Sequence, residues 1–132
     1  MSIPDAILER GRSAVDPFYD GEVPRDKEGQ PLKKRYAVIY MAPGQRDADD
    51  LARTGKDHRF RWQVTSVGVD AAQARWVATR VRDAFLDARL VVDGWQVGVV
   101  EHTSDERIRR DDDLPREALH YAVDTYALNA TR

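Results

Sequence analysis

From residue 69 to residue 89 the chain reads VDAAQARWVATRVRDAFLDAR, and its apolar positions recur at spacings of three and four. At about 100° per residue Ala74, Val77, Ala78, Val81, Ala84, Phe85 and Ala88 fall on one stripe, with Arg75, Thr79, Arg82 and Asp83 opposite. The spacing predicts a long amphipathic helix over 70–88, roughly 28 Å long. Asp70 is placed to accept from the free N–H groups of the first turn, and Gln73, three residues on, completes the pattern of a capping box. A stripe of Ala and Val lets such a helix lie close to the surface it covers.

Strand patterns flank this helix. Arg35 to Met41 (RYAVIYM) is apolar on both faces, and Phe60 to Val67 (FRWQVTSV) alternates, with Phe60, Trp62 and Val64 facing inward. Leu90-Val91-Val92, Asp93-Gly94 and Trp95-Gln96-Val97 read as a hairpin with a type I′ turn, its second arm running to about His102. Glu117 to Leu128 reads as a last long strand, with Leu119, Tyr121 and Val123 on one side and His120, Ala122 and Asp124 on the other. A short helix is expected within residues 1–15, with Ile3, Ala6 and Ile7 on its apolar side. Phe18 to Val23 reads as a short extended segment, and Pro24 to Lys34 as a polar loop. Residues 42–57 and 103–116 lack apolar periodicity and read as long charged loops. The expected fold is α+β: a mainly antiparallel sheet of about four to five strands against one long helix, plus the short N-terminal helix, in a single domain over 1–132.

Composition narrows the function classes. A chain of 132 residues suits one domain and buries about two thirds of its unfolded surface. The formal charge is −2, from 21 basic and 23 acidic residues, which argues against a general nucleic-acid binder with its basic surplus. With no cysteine, disulfides, thiolate catalysis and cysteine-ligated metals are excluded. No apolar run approaches the ~20 residues that span a bilayer, and no signal-like segment opens the chain, so a soluble cytoplasmic protein is expected.

Motifs for chemistry are sparse. His58, His102 and His120 have no helical i, i+4 spacing and no HExxH pattern, so no histidine metal site is expected. Asp111-Asp112-Asp113 offers oxygens to a hard cation, but adjacent aspartates converge poorly, and Arg107, Arg109 and Arg110 neutralise the field. No G-x-S-x-G elbow, Walker loop or G-x-G-x-x-G turn is present. Trp76 lies off the core stripe of its helix, with Arg75 and Arg80 close by in sequence. Packing under a flanking loop is the plain account of it, and a subunit-contact anchor the sharper one.

Several segments, in order, carry a resemblance: DGEVP (20–24), RYAVIYMAPG (35–44), FRWQVTSVG (60–68), QARWVATRVRDAFL (73–86), and IRRDDD followed by HYAVDTYAL. Over roughly Phe18 to Leu128 the chain resembles the small tail terminator, or tail completion, proteins of long-tailed bacteriophages, especially those of actinobacterial hosts. The resemblance implies a non-enzymatic virion protein assembled in the host cytoplasm and located at the head-proximal end of the tail. Its copies would form a homo-oligomeric, hexameric ring that caps the tail tube, stops tube polymerisation and offers a surface to the head–tail connector. It implies no catalytic residue, cofactor or metal. DNA would pass through the lumen without specific binding, so a neutral or acidic lumen is expected. A ring needs heterologous contacts between two different patches. The expected contact residues are Arg46, Asp49, Asp50, Arg53, Trp76, Arg107, Arg109, Arg110, Asp111, Asp112 and Asp113.

Three other readings stand beside this one. A neck or head-completion protein has subunits of similar size. A metal-dependent nuclease would use Asp111 to Asp113 with Glu101. A ligand-binding α+β dimer would need a pocket between helix and sheet.

Overall fold

The computed structural model describes residues 1–29, 32, 34–42, 45–47, 57–87, 89–105, 109–110 and 119–132; at 45–47, 105 and 109–110 only the backbone is described. In chain order the elements are α1 (Ile3–Ala14), β1 (Phe18–Asp20), β2 (Tyr36–Met41), β3 (Gln45–Asp47), β4 (Asp57–Gly68), α2 (Ala71–Asp87), β5 (Gln96–Val97), β6 (Glu101–Asp105), β7 (Arg109–Arg110) and β8 (His120–Thr131).

β4 and β8, each of 12 residues, form the spine of the sheet. They pair antiparallel along their whole length, from Asp57 opposite Thr131 to Gly68 opposite His120. Shorter pieces line both flanks: β2 and β3 share the free edge of β4, and β5, β6 and β7 follow one another along β8. β1 closes the β2 edge.

Period-two alternation decides which side each residue of the spine takes. Phe60, Trp62, Val64 and Ser66 from β4, and Ala122, Asp124, Tyr126, Leu128 and Ala130 from β8, are buried on the helix-covered face. α2 lies there with Ala74, Val77, Ala78, Val81, Ala84 and Phe85 buried, the predicted stripe. Its rings mesh with those of the sheet, with Phe85 centred 5.3 Å from Trp62 and 5.2 Å from Tyr126. The Asp70 carboxylate accepts from the Gln73 amide at 2.7 Å, as expected of a cap, while the Gln73 side chain reaches back to the Val69 N–H at 2.8 Å. α1 carries its own capping box between Ser2 and Asp5 and buries Ile3, Ala6 and Ile7 beside α2. Two arginines tie the helices in opposite directions: Arg10 Nε donates to the Ala84 carbonyl at 2.7 Å, and Arg80 Nε to the Ala14 carbonyl at 2.9 Å.

The opposite face of the sheet carries a smaller cluster of Tyr36, Val38, Val67 and Leu119, flanked by Tyr19, Val23 and Tyr121. Farther along, this face turns polar, with Arg61 and Gln63 exposed and Arg59 bound to Asn129 at 3.1 Å and Glu101 at 3.3 Å.

Among the described residues the fold is α+β with two helices, and the structure corrects the sheet. It is mixed: β1 runs parallel to β2, with Phe18 opposite Ala37, and the remaining pairs are antiparallel. Parallel neighbours need a long return connection, and residues 21–35 provide it. Among the described residues the sheet has 8 strands where four to five were expected. The added strands β1, β3, β5, β6 and β7 have two to five residues each, too short to show periodicity.

Both charged stretches lend residues to this. Gln45–Asp47 pairs with Asp57–Arg59, extending β4 three residues beyond the expected Phe60, and Asp105 and Arg109–Arg110 pair with β8. The hairpin over 90–97 does not form. Its turn does, with Trp95 N–H on the Val92 carbonyl at 3.1 Å and Gly94 at φ +84°, a conformation that suits glycine. Leu90 and Val92, however, plug into the core, and Gln96–Val97 pairs with the end of β8. The last strand begins at His120 and continues to Thr131, three residues past the expected end. Ala88 lies outside the described residues.

Candidate functional site

The off-stripe tryptophan of α2 is the most distinctive surface feature. Trp76 is 42% exposed, and the guanidinium carbons of Arg35 and Arg80 stand 4.4 and 5.1 Å from its ring centroid. Arg80 is one helical turn on, and its Nε is anchored on Ala14. Arg35 comes from the approach to β2. A guanidinium over an indole is held by the ring's quadrupole. Trp76 is therefore held between two guanidiniums, one of them, Arg35, from the segment that leads into β2.

A cleft of about 610 Å³ opens beside β1 and the end of β2, lined by Tyr19, Glu22, Val23, Pro24, Arg25 and Tyr40. Tyr19 is braced edge-on by Tyr36 with centroids 5.9 Å apart. Tyr40 is 39% exposed. The Arg25 guanidinium is turned to its own loop, Nη1 donating to the Gly29 carbonyl at 2.8 Å. Glu22 stays on the rim.

Under α2 lies a third group. Asp124, 2% exposed, accepts on one oxygen from Arg82 Nη2 at 2.9 Å and meets His102 Nε2 there at 2.8 Å. A buried carboxylate persists when cations and hydrogen bonds compensate its lost hydration. The fully buried Tyr126 hydroxyl lies near this pair. Burial first, and the Asp124 charge second, raise it above the ordinary tyrosine range. The Ser66 hydroxyl is buried and without a hydrogen bond, so Ser66 is not a nucleophile paired with His102. This group ties β6 and β8 to α2.

The other histidines lie apart. His58 packs against Trp95 and Phe60, with centroids 5.0 and 6.3 Å away, and His120 sits at the start of β8. Among the described residues no three His, Asp or Glu side chains gather as a metal site.

Of the residues expected at contacts, Trp76 is partly exposed. Arg46 lies in β3 opposite His58, and Arg109 and Arg110 lie in β7 opposite Tyr121 and His120. Asp49, Asp50, Arg53, Arg107, Asp111, Asp112 and Asp113 lie outside the described residues. Sequence reasoning missed the Tyr19–Tyr40 cleft, which forms only when β1 docks parallel to β2. It also missed Asp124, although an acid alternating with Ala122 and Tyr126 was the available signal.

No protein-family model and no curated protein matches the chain. Among solved structures, it is similar to a chain of a structure described as "Virion of native gene transfer agent (GTA) particle". The two are 18% identical, with a TM-score of 0.67 over 99% of this chain and 96% of the other. At that identity the likeness is one of fold, and it extends over nearly the whole of both chains.

Proposed function

We propose that this chain is a structural protein of a virion, and more finely a tail terminator. Its copies join into a ring that caps the tail tube, ends tube growth and presents a surface to the head connector. One observation carries the reading: the near end-to-end likeness of fold to a chain of a virion. The chain's own chemistry supports it. The buried Asp124, held by Arg82 and His102, serves packing, and the exposed Trp76 and Tyr40 suit contact with other chains. The protein acts by shape, without turnover.

The test is assembly. Size-exclusion chromatography with light scattering, alone and with tail-tube protein, is expected to show a closed oligomer, with tube ends bound and tube length limited. Binding to the connector but not to tube ends would favour a neck protein instead. A monomer under both conditions would refute the ring.

A further inference from the structure

Trp76 and the tyrosine cleft differ in shape, charge and position in a way that makes them complementary. The Trp76 knob stands on the helix-covered side, near the start of β2, with Arg35 against it. The cleft opens beside β1 at the other end of β2, where Tyr19 and Tyr40 belong to the opposite sheet face. Arg35 to Tyr40 spans about 17 Å of extended chain.

The knob is an indole carrying a guanidinium. The cleft is walled by two phenol rings, Val23 and Pro24, with a volume of about 610 Å³ that admits an indole with a cation beside it. Its charge is of the right sign. Arg25 is spent on the Gly29 carbonyl, which leaves Glu22 on the rim to face an incoming cation. On the knob, Arg80 is anchored to Ala14, while Arg35 lies over the indole and is the cation positioned to pair across the contact.

We infer that Trp76 of one copy inserts between Tyr19 and Tyr40 of the next, with Arg35 of the first paired to Glu22 of the second. Knob and cleft lie on opposite sides of the sheet and cannot pair mutually about a two-fold axis. The contact is heterologous, the kind that propagates around a ring. Trp, Tyr and Arg are the side chains that most often dominate interface energetics. The inference rests on the ring reading and adds which surfaces meet.

The test uses the full chain with tail-tube protein present. Trp76→Ala is expected to weaken assembly at least about 30-fold, the scale of one dominant interface residue. Because that side chain also touches Arg35 and Arg80, a charge exchange provides a second arm. Arg35→Glu and Glu22→Arg each weaken assembly about tenfold, and the double variant recovers most of the loss. The absence of native cysteine permits a third arm: Arg75→Cys mixed with Arg25→Cys is expected to give a disulfide dimer that neither protein gives alone. A ring that forms normally with Trp76→Ala, or a charge exchange that restores nothing, would overturn the contact while leaving the ring standing. Single-stranded DNA binding abolished by Trp76→Ala, with assembly intact, would reassign the indole to stacking on bases and also overturn it. A wild-type chain that never associates would remove both.

Discussion

Replacing Arg82 with Ala should cost more than replacing its partner Asp124 with Asn, although Arg82 is the more exposed of the two. Arg82 is 39% exposed and Asp124 2%, joined at 2.9 Å. Removing one partner of a buried pair typically costs about 3–5 kcal/mol, because the other charge is left stranded. Two features of this site lower the figure. His102 stays on the same carboxylate oxygen at 2.8 Å, and the space left by the arginine opens to water. A loss of about 2–3 kcal/mol is therefore expected for Arg82→Ala. Asp124→Asn keeps the shape and removes the buried charge, and Arg82 can then turn outward. Its cost is the charge-assisted hydrogen bonds, about 1.5–3 kcal/mol, less the recovered desolvation, so it falls below that of Arg82→Ala. Urea denaturation at constant m-value measures both, and the double variant gives their coupling. An Arg82→Ala variant within about 0.5 kcal/mol of the parent would show that the pair behaves as surface charge, and the argument would fail. An Asp124→Asn variant less stable than Arg82→Ala would contradict it equally.

Three further outcomes are expected. Asp70→Ala removes the acceptor for the Gln73 amide and should lower stability by about 1 kcal/mol in the same denaturation assay. Gly68→Ala would drive a methyl group against the Ala74 amide nitrogen at the strand-to-helix corner, a backbone clash expected to cost about 1–3 kcal/mol, read as a lowered Tm. Alkaline pH should weaken the fold through Tyr126, whose proton is held above the ordinary range. Above about pH 10 the unfolded chain releases that proton and the native state keeps it, so stability falls by up to about 1.4 kcal/mol per pH unit. Tyr126→Phe should flatten that part of a stability profile measured from pH 8 to 11.

Legibility followed the length of each period. α2 was readable because six buried residues repeat over 17 positions, and β2 and the middle of β4 because their apolar residues are dense. β3, β5 and β7 have two or three residues each. They pair through backbone groups onto strands already formed, and so leave no side-chain pattern to find. The start and end of β8 are misplaced by the sequence pattern, and its buried row contains an acid, Asp124, beside Ala122. That row makes sense only once Arg82 and His102 arrive from α2 and β6 to meet it. Trp76 was visible as an exception to a stripe, but its geometry depends on Arg35, 41 positions earlier in the chain. The cleft needs β1 alongside β2, a parallel pairing that local sequence does not encode.

The division of the sheet's two faces connects fold to use. One face is sealed: two helices, tied by Arg10 and Arg80 across their carbonyls, cover an apolar core whose only buried carboxylate among the described residues is compensated. That seal buries the helix-covered face of the sheet within a single chain. The other face is built differently, with a small tyrosine-rich cluster at one end and exposed Arg61 and Gln63 farther along. Exposed aromatic side chains carry a hydration cost in a lone subunit, which contact with another chain relieves. Trp76 stands on the helix side and Tyr40 on the opposite face, held in place by Arg35 and by β2 respectively. They are thus preorganised, and binding loses little side-chain entropy at either. A subunit with one face sealed and rigid aromatic groups left exposed is suited to repeated assembly, and this physical property links the chain's architecture to the collar proposed for it.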